Sequence, residues 1–123
     1  MTIREIEELS GMTRANIRFY EKEGLITPER NSNGYRNYSE EDLNTLKRIR
    51  LLRTLHLSLE DIKSLSRNEQ ELAGLLIRHL TNLKKEQQSL GRSVEVCERL
   101  CKDQAVYSSF DAQRYLDLLD SST

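Results

Sequence analysis

Four helix-start signals recur within the first 61 residues of this chain. Each is a Ser or Thr that can cap free backbone N–H groups, followed three residues later by an acidic or amide side chain. Each signal precedes a run with helical apolar spacing. The four pairs are Thr2 with Glu5, Thr13 with Asn16, Ser39 with Asp42, and Ser58 with Asp61. With only one Pro and five Gly in 123 residues, the chain is predicted to be mainly α.

The first two predicted helices are separated by a short turn. Ile3, Ile6 and Leu9 have the spacing of an inward-facing stripe, and Gly11 supplies a turn before Thr13 restarts the helix. A short helix, a tight turn with glycine and a second helix form the helix-turn-helix plan. This plan is the structural hypothesis for the start of the chain.

The second helix carries a basic stripe. Arg14, Arg18 and Lys22 recur every four residues and so share one face, while Ile17 and Phe19 are expected to point inward. A stripe of this kind is more often a solvated surface than a binding surface. The turn and the hairpin that follows favour the binding interpretation.

A β-hairpin, here called the wing, is predicted after the second helix. Pro28 excludes a helix interior, and Asn33-Gly34 is a strong signal for a tight hairpin turn because both residues tolerate positive φ. The predicted tip lies near residues 31–34. Beyond it the side chains alternate, which puts Tyr35 and Asn37 on one side and Arg36 and Tyr38 on the other.

Two further helices complete the predicted N-terminal domain. The third begins at Ser39 and is broken by His56-Leu57, and the fourth follows to a polar boundary at residues 66–68. The third helix has inward-facing Leu43, Leu46, Ile49 and Leu52, and outward-facing Lys47, Arg48, Arg50 and Arg53. Leu59, Ile62 and Leu65 form the inner face of the fourth.

A seven-residue repeat follows, from about Glu69 to Lys102. Ala73, Leu80, Gln87, Val94 and Cys101 are seven apart, as are Leu76, Leu83, Leu90 and Cys97. The two sets are offset by three, which is the a/d seam of a coiled coil. A helix about 50 Å long with such a stripe needs a partner in water, most simply a second copy. The predicted dimer interface comprises Leu76, Leu80, Leu83, Gln87, Leu90, Val94, Cys97 and Cys101.

The sequence therefore divides into three predicted regions. Residues 1–68 form a winged helix-turn-helix DNA-binding domain, and residues 69–103 form the coiled-coil dimerisation helix. Residues 104–123 form a tail with a short helix capped by Asp111. Either Tyr107, Phe110 and Tyr115 line a small effector pocket in a dimer, or the chain is part of a longer protein with a separate sensing domain.

The two cysteines leave more than one interpretation open. Cys97 and Cys101 lie on one helical face, where two thiols could share a soft metal ion or act in thiol redox chemistry. Both also fall on the seam, where a free cysteine serves as a small apolar filler. We favour packing and predict no metal site and no cofactor.

Charge and composition narrow the class of protein. Residues 1–68 contain 12 Lys or Arg against 11 Asp or Glu, and the net charge of the chain is −1, so DNA binding must rest on local placement of cations. No apolar run is long enough for a membrane span or a secretory signal. We expect a cytoplasmic protein without membrane contact. No nucleophile, base and orienting group occur at a telling spacing, so an enzyme is not expected.

Residues 2–65 resemble the MerR family of bacterial transcription regulators. The matching segments are Thr2-Ile3-Arg4-Glu5, Gly11-Met12-Thr13, Ile17-Arg18-Phe19-Tyr20-Glu21-Lys22-Glu23-Gly24-Leu25 and Gly34-Tyr35-Arg36-Asn37-Tyr38-Ser39. The resemblance implies a homodimer joined by an antiparallel coiled coil that binds a palindromic promoter operator. It also implies that an effector makes the dimer distort promoter DNA, through which RNA polymerase is affected indirectly. The alternative is an architectural DNA-bending protein of the excisionase type.

The resemblance also suggests which residues meet DNA. In the major groove Arg14 and Arg18 could reach base edges or phosphates, and the Thr13 hydroxyl could meet a phosphate. Tyr20, like Arg18, sits at a position that the family uses on DNA. At Phe19 relatives more often carry Tyr, so one hydroxyl contact is absent here. Three wing residues match positions that touch the DNA backbone in relatives: Tyr35, Arg36 and Tyr38.

Overall fold

Six α-helices and one two-stranded antiparallel hairpin make up the part of the chain that the structure describes. The computed structural model describes residues 1–121. The elements are α1 (Ile3–Ser10), α2 (Arg14–Lys22), β1 (Glu29–Arg30), β2 (Arg36–Asn37), α3 (Glu40–Thr54), α4 (Leu59–Ser66), α5 (Leu72–Lys102) and α6 (Ala112–Asp120). This order confirms the predicted class: a mainly α chain with a small hairpin, a long helix and a short C-terminal helix.

All four predicted helix starts are confirmed by their caps. The hydroxyls of Thr2, Thr13, Ser39 and Ser58 each accept a hydrogen bond from the backbone N–H three residues later. At Thr2 and Ser39 the acidic side chain also accepts from the backbone N–H of the cap residue. Asp111 caps α6 by accepting from the N–H of Gln113. These local bonds set where each helix begins.

The turn between α1 and α2 is built from Gly11 and a distant arginine. Gly11 has φ +71°, a conformation that glycine adopts without steric cost. The Arg50 guanidinium in α3 donates to the Ser10 carbonyl at 3.1 Å, and the Met12 N–H donates to Ser10 Oγ at 3.2 Å. Arg50 therefore supports the turn instead of pointing freely outward.

The core of residues 1–72 lies where α1 packs on α2 and α3, and α3 packs on α4. Its fully or nearly fully buried side chains include Ile6, Ser10, Ile17, Tyr20, Ile26, Tyr38, Leu43, Leu46, Ile49, Leu57 and Ile62. Two expectations were wrong. Leu9 is half exposed, because the two-turn α1 buries Ile6 and Ser10, spaced by four. Phe19 is exposed, since Ile17 and Tyr20 occupy the inner face of α2.

The break after α3 lies where the sequence predicted it. His56 has φ +72°, and Leu57 beside it is 1% exposed. Arg53 donates to the Leu57 carbonyl at 2.9 Å, which satisfies a backbone acceptor at this turn. Arg53, like Arg50, thus has a structural partner.

Residues 73–121 form the second unit that the structure describes. Its main element, α5, is 31 residues long, about 46 Å at ~1.5 Å per residue. At its end Gln104 adopts φ +52°, and the Tyr115 hydroxyl of α6 donates to the Asp103 carboxylate at 2.7 Å. This hydrogen bond raises the pKa of Tyr115. None of the helices within residues 1–121 combines the length and the apolar character needed to cross a bilayer.

Tyr38 places a polar hydroxyl group in the core of residues 1–72. Its side chain is 2% exposed, and its hydroxyl is buried without a hydrogen-bond partner among the described residues. This burial raises the pKa of the phenol, as does the nearby Glu21 carboxylate. A buried polar group without a partner costs free energy.

We expect Tyr38→Phe to leave the free energy of unfolding unchanged or to raise it by about 1 kcal/mol, because it removes only an unpaired hydroxyl. Tyr115→Phe is the matched control and should lower the free energy of unfolding, because that hydroxyl donates to a carboxylate. Urea denaturation followed by circular dichroism measures both. A loss above about 1 kcal/mol for Tyr38→Phe would contradict this account.

Candidate nucleic-acid interface

The outer face of α2 is set by what the helix buries. Ile17 is 0% and Tyr20 is 8% exposed, and residues three apart share a helix face. Arg18, Phe19 and Lys22 are exposed as a result. Phe19 packs edge-on against Tyr20, with 5.3 Å between the ring centroids. The helix thus presents cations and one aromatic ring to solvent.

The three cations of the predicted stripe are not equivalent. The Arg14 guanidinium contacts the Glu7 carboxylate at 3.1 Å and 3.3 Å, and the Arg14 backbone N–H donates to the other oxygen of Glu7 at 2.9 Å. Arg18 and Lys22 form no ion pair within residues 1–121. Arg18 and Lys22 are therefore the cations of α2 available to an anionic ligand.

The wing has the predicted turn, and the structure gives its register. Glu29 pairs with Asn37 and Arg30 with Arg36, and the Gly34 N–H donates to the Asn31 carbonyl at 2.9 Å at the tip. The wing is anchored to the start of the chain, since the Tyr38 N–H donates to the Met1 carbonyl at 2.8 Å.

The predicted alternation along the second strand is confirmed. Tyr35 is 73% exposed and Asn37 is exposed, whereas Arg36 is half-buried and Tyr38 is buried. The Arg36 Nε–H lies 2.8 Å and 3.0 Å from the two carboxylate oxygens of Glu21. This hydrogen bond raises the pKa of Arg36.

Two residues predicted to meet DNA, Tyr38 and Tyr20, are buried in this conformation. Tyr38 lies in the core and not on the wing surface, because its side of the strand faces inward. Tyr20 is also buried, since it forms the inner face of α2 with Ile17. The Nε–H of Arg36 donates to the Glu21 carboxylate and is not free for another acceptor. Tyr35 is the predicted wing residue whose side chain is freely accessible.

A concave groove of about 310 Å³ lies between the start of α1, α2 and the wing. Its cationic lining residues are Arg18, Arg30 and Arg36. Arg30 donates to the Gly34 carbonyl at 2.9 Å, so the wing tip holds its guanidinium in place. The groove gathers positive charge where the helix and the wing meet.

The basic residues of α3 mostly have partners. Arg48 is within 3.3 Å of the Glu41 carboxylate, and Arg50 and Arg53 hold the two turns described above. Lys47 forms no ion pair among the described residues.

The predicted dimer seam is largely exposed on this single chain. Leu80 is 51%, Val94 is 54% and Leu90 is 66% exposed, and Leu76 and Leu83 are half-buried. Gln87 is exposed. Cys97 and Cys101 are free thiols and exposed. Residues 1–121 contain no group of three or more His, Cys, Asp or Glu side chains that could hold a metal ion.

Sequence reasoning missed the acidic residues that organise the interface. Glu7, Glu21 and Glu23 each hold a cation: Arg14, Arg36 and Lys63 respectively. No local pattern marks these pairs, since each partner lies on another element. The only available signal was the nearly equal number of acids and bases in residues 1–68.

Comparison with known proteins gives a consistent result. Residues 1–69 match the family described as MerR HTH family regulatory protein. HTH-type transcriptional regulator HmrR of Sinorhizobium medicae is 36% identical over 93 residues, which cover 69% of this chain and 63% of the relative. A probable heavy metal-dependent transcriptional regulator of Haemophilus influenzae is 37% identical over 103 residues, covering 77% and 80%.

A solved structure is also similar. It is HiNmlR, a MerR family regulator lacking the sensor domain, bound to promoter DNA. It is 26% identical, covers 83% of each chain and has a TM-score of 0.62. The chain spans less than two thirds of the length of HmrR, as stated above.

We expect Arg18→Ala to weaken binding to a duplex selected by this protein from a random pool by at least ~1 kcal/mol, the low end for a good base contact. Arg14→Ala is the matched control and should cost less, because Glu7 already neutralises that guanidinium. Fluorescence anisotropy at fixed salt measures both. Unchanged affinity for Arg18→Ala would show that Arg18 does not contact DNA. Equal losses for the two variants would contradict the claim that Glu7 makes Arg14 less available than Arg18.

Proposed function

This chain belongs to the MerR HTH family of regulatory proteins, so it is not an enzyme, and we propose that it is a transcription regulator that binds a palindromic promoter operator as a homodimer. The observation that carries the proposal is the outer face of α2. It exposes Arg18 and Lys22, neither of which forms an ion pair within residues 1–121, beside a groove lined by two further arginines.

Local charge makes DNA binding compatible with a net charge of −1. Affinity for the phosphate backbone comes from cations that displace counterions at the contact surface, not from the charge of the whole chain. Many Lys and Arg side chains of residues 1–72 form ion pairs with glutamates or donate to backbone carbonyls. Two of the basic side chains with neither kind of partner among the described residues, Arg18 and Lys22, share the exposed face of α2, the helix that the helix-turn-helix plan places in the major groove.

The solvent exposure of each side chain suggests which part of the DNA it contacts. Arg18 lies on the outer face of α2, from which it can reach base edges. The exposed Tyr35 on the wing and Thr13 at the start of α2 are suited to phosphate contacts. Such contacts position a protein on the duplex without reading its sequence.

The second copy of the chain is proposed from the apolar seam of α5. Leu80, Leu90 and Val94 would each leave a large apolar surface in water on an isolated helix. Burial of apolar surface contributes roughly 25 cal/mol per Å², so a partner helix with the same stripe stabilises the pair. A twofold dimer presents two α2 helices to two half-sites, which requires a palindromic operator.

Regulation is proposed to act through the shape of promoter DNA. The two α2 helices of one rigid dimer can deform the duplex between the half-sites, and such deformation has a sequence-dependent energy. RNA polymerase would respond to this distortion without a direct contact. The effector that triggers it is not assigned. An excisionase-type bending protein is not favoured, since the matched relatives are transcriptional regulators.

We expect Leu90→Lys to convert the protein to a monomer at micromolar concentration, because it places a charge on the seam. Ser89→Lys on the same turn lies outside the seam and is the control. Sedimentation velocity gives the oligomeric state, and anisotropy gives the affinity for a selected duplex. Dimerisation retained in Leu90→Lys would contradict the proposed interface. A pool that yields no enriched duplex would contradict the proposed function itself.

A further inference from the structure

Two glutamates in the last turn of α2 and just after it are joined to two different elements. Glu21 pairs with Arg36 on β2, and Glu23 pairs with Lys63 on α4. We call Glu21 and Glu23 with their two partners the α2 bracket. The bracket joins the C-terminal end of the proposed reading helix to the wing on one side and to α4 on the other.

The bracket pairs are better shielded from solvent than the other ion pairs of residues 1–72. The side chains of Arg36 and Glu21 are 30% and 20% exposed, and those of Lys63 and Glu23 are 17% and 27% exposed. In contrast, Arg48 and Glu41 are 66% and 74% exposed. Ion pairs open to solvent contribute little, so the bracket pairs are the ones able to fix geometry.

The position of these acids is unfavourable for DNA binding by charge alone. A carboxylate at a surface that meets phosphates repels them, and Glu21 also occupies Arg36, which lines the cationic groove. If charge attraction to DNA were the only requirement, a neutral residue in place of Glu21 would give higher affinity. The contacts of Glu21 therefore point to a different role.

We propose that Glu21 is a positioning residue that sets the angle between α2 and the wing, and thereby the selectivity for the operator over other DNA. This inference rests on the proposed DNA-binding function. Glu21 holds Arg36 away from phosphates and fixes the wing against α2. Glu23 and Lys63 hold the same end of the helix against α4.

The test compares Glu21→Gln with Glu29→Gln in the whole 123-residue chain. Glu29 lies on β1, is exposed, and forms no ion pair among the described residues. Both variants remove one negative charge near the wing. Affinity is measured by anisotropy over a series of salt concentrations, for a selected palindromic duplex and for a scrambled duplex of the same composition.

For Glu21→Gln we expect the ratio of selected to scrambled affinity to fall at least tenfold, while affinity for the scrambled duplex rises. The dependence of log affinity on log salt should steepen by about one unit, because Arg36 becomes free to contact phosphate. Glu29→Gln should raise both affinities together and leave the ratio unchanged. An unchanged ratio for Glu21→Gln, with both affinities raised, would overturn the proposal.

A double-variant cycle tests whether Glu21 acts through Arg36. In the Arg36→Gln background, Glu21→Gln should cause no further fall in the ratio, because the pair is already broken. An equal fall in both backgrounds would contradict the role of this pair.

A readout without DNA separates this inference from the proposed function. Hydrogen exchange at the Asn31 and Tyr38 amides, which are bonded within and beneath the wing, should accelerate in Glu21→Gln and not in Glu29→Gln. If this acceleration occurs but wild type enriches no duplex from the random pool, the proposed function fails while the positioning role of Glu21 is retained. If wild type binds DNA and the exchange of the wing amides does not accelerate in Glu21→Gln, only the positioning role of Glu21 is contradicted.

Discussion

The burial of Ile17 and Tyr20 along one side of α2 determines which side chains that helix presents to solvent. Once those two residues are in the core, the helical repeat leaves Arg18 and Lys22 exposed. The caps at Thr13 and the turn at Gly11 then set where the helix begins. The candidate interface is thus a consequence of core packing, and its cations need no special arrangement of their own.

The acids of the N-terminal unit are as informative as its bases. Glu7, Glu21 and Glu23 neutralise three cations around α2, while Arg18 and Lys22 remain without ion pairs within the described residues. A nearly neutral domain can therefore carry a locally basic surface. This selective pairing limits the proposed contacts with phosphates and nucleotide bases to a few positions. Single substitutions at those positions should therefore change DNA affinity measurably.

Much of the fold could be predicted because its signals are local. A hydroxyl and the N–H three residues later belong to one turn, and the Asn33-Gly34 hairpin depends only on backbone conformation. The roles of Arg36 and Arg50 could not be predicted, because their partners lie 15 and 40 residues away. The burial of Tyr38 was missed because alternation gives the side of a strand, not what covers it.

Protection of guanine N7 from methylation tests most directly whether α2 lies in the major groove, because N7 faces that groove. The DNA is a palindromic duplex selected by the protein and containing guanines in both half-sites. The account predicts protected guanines in both halves, related by the twofold axis of the site. Protection of the sugar–phosphate backbone with no protected N7 in either half would contradict it.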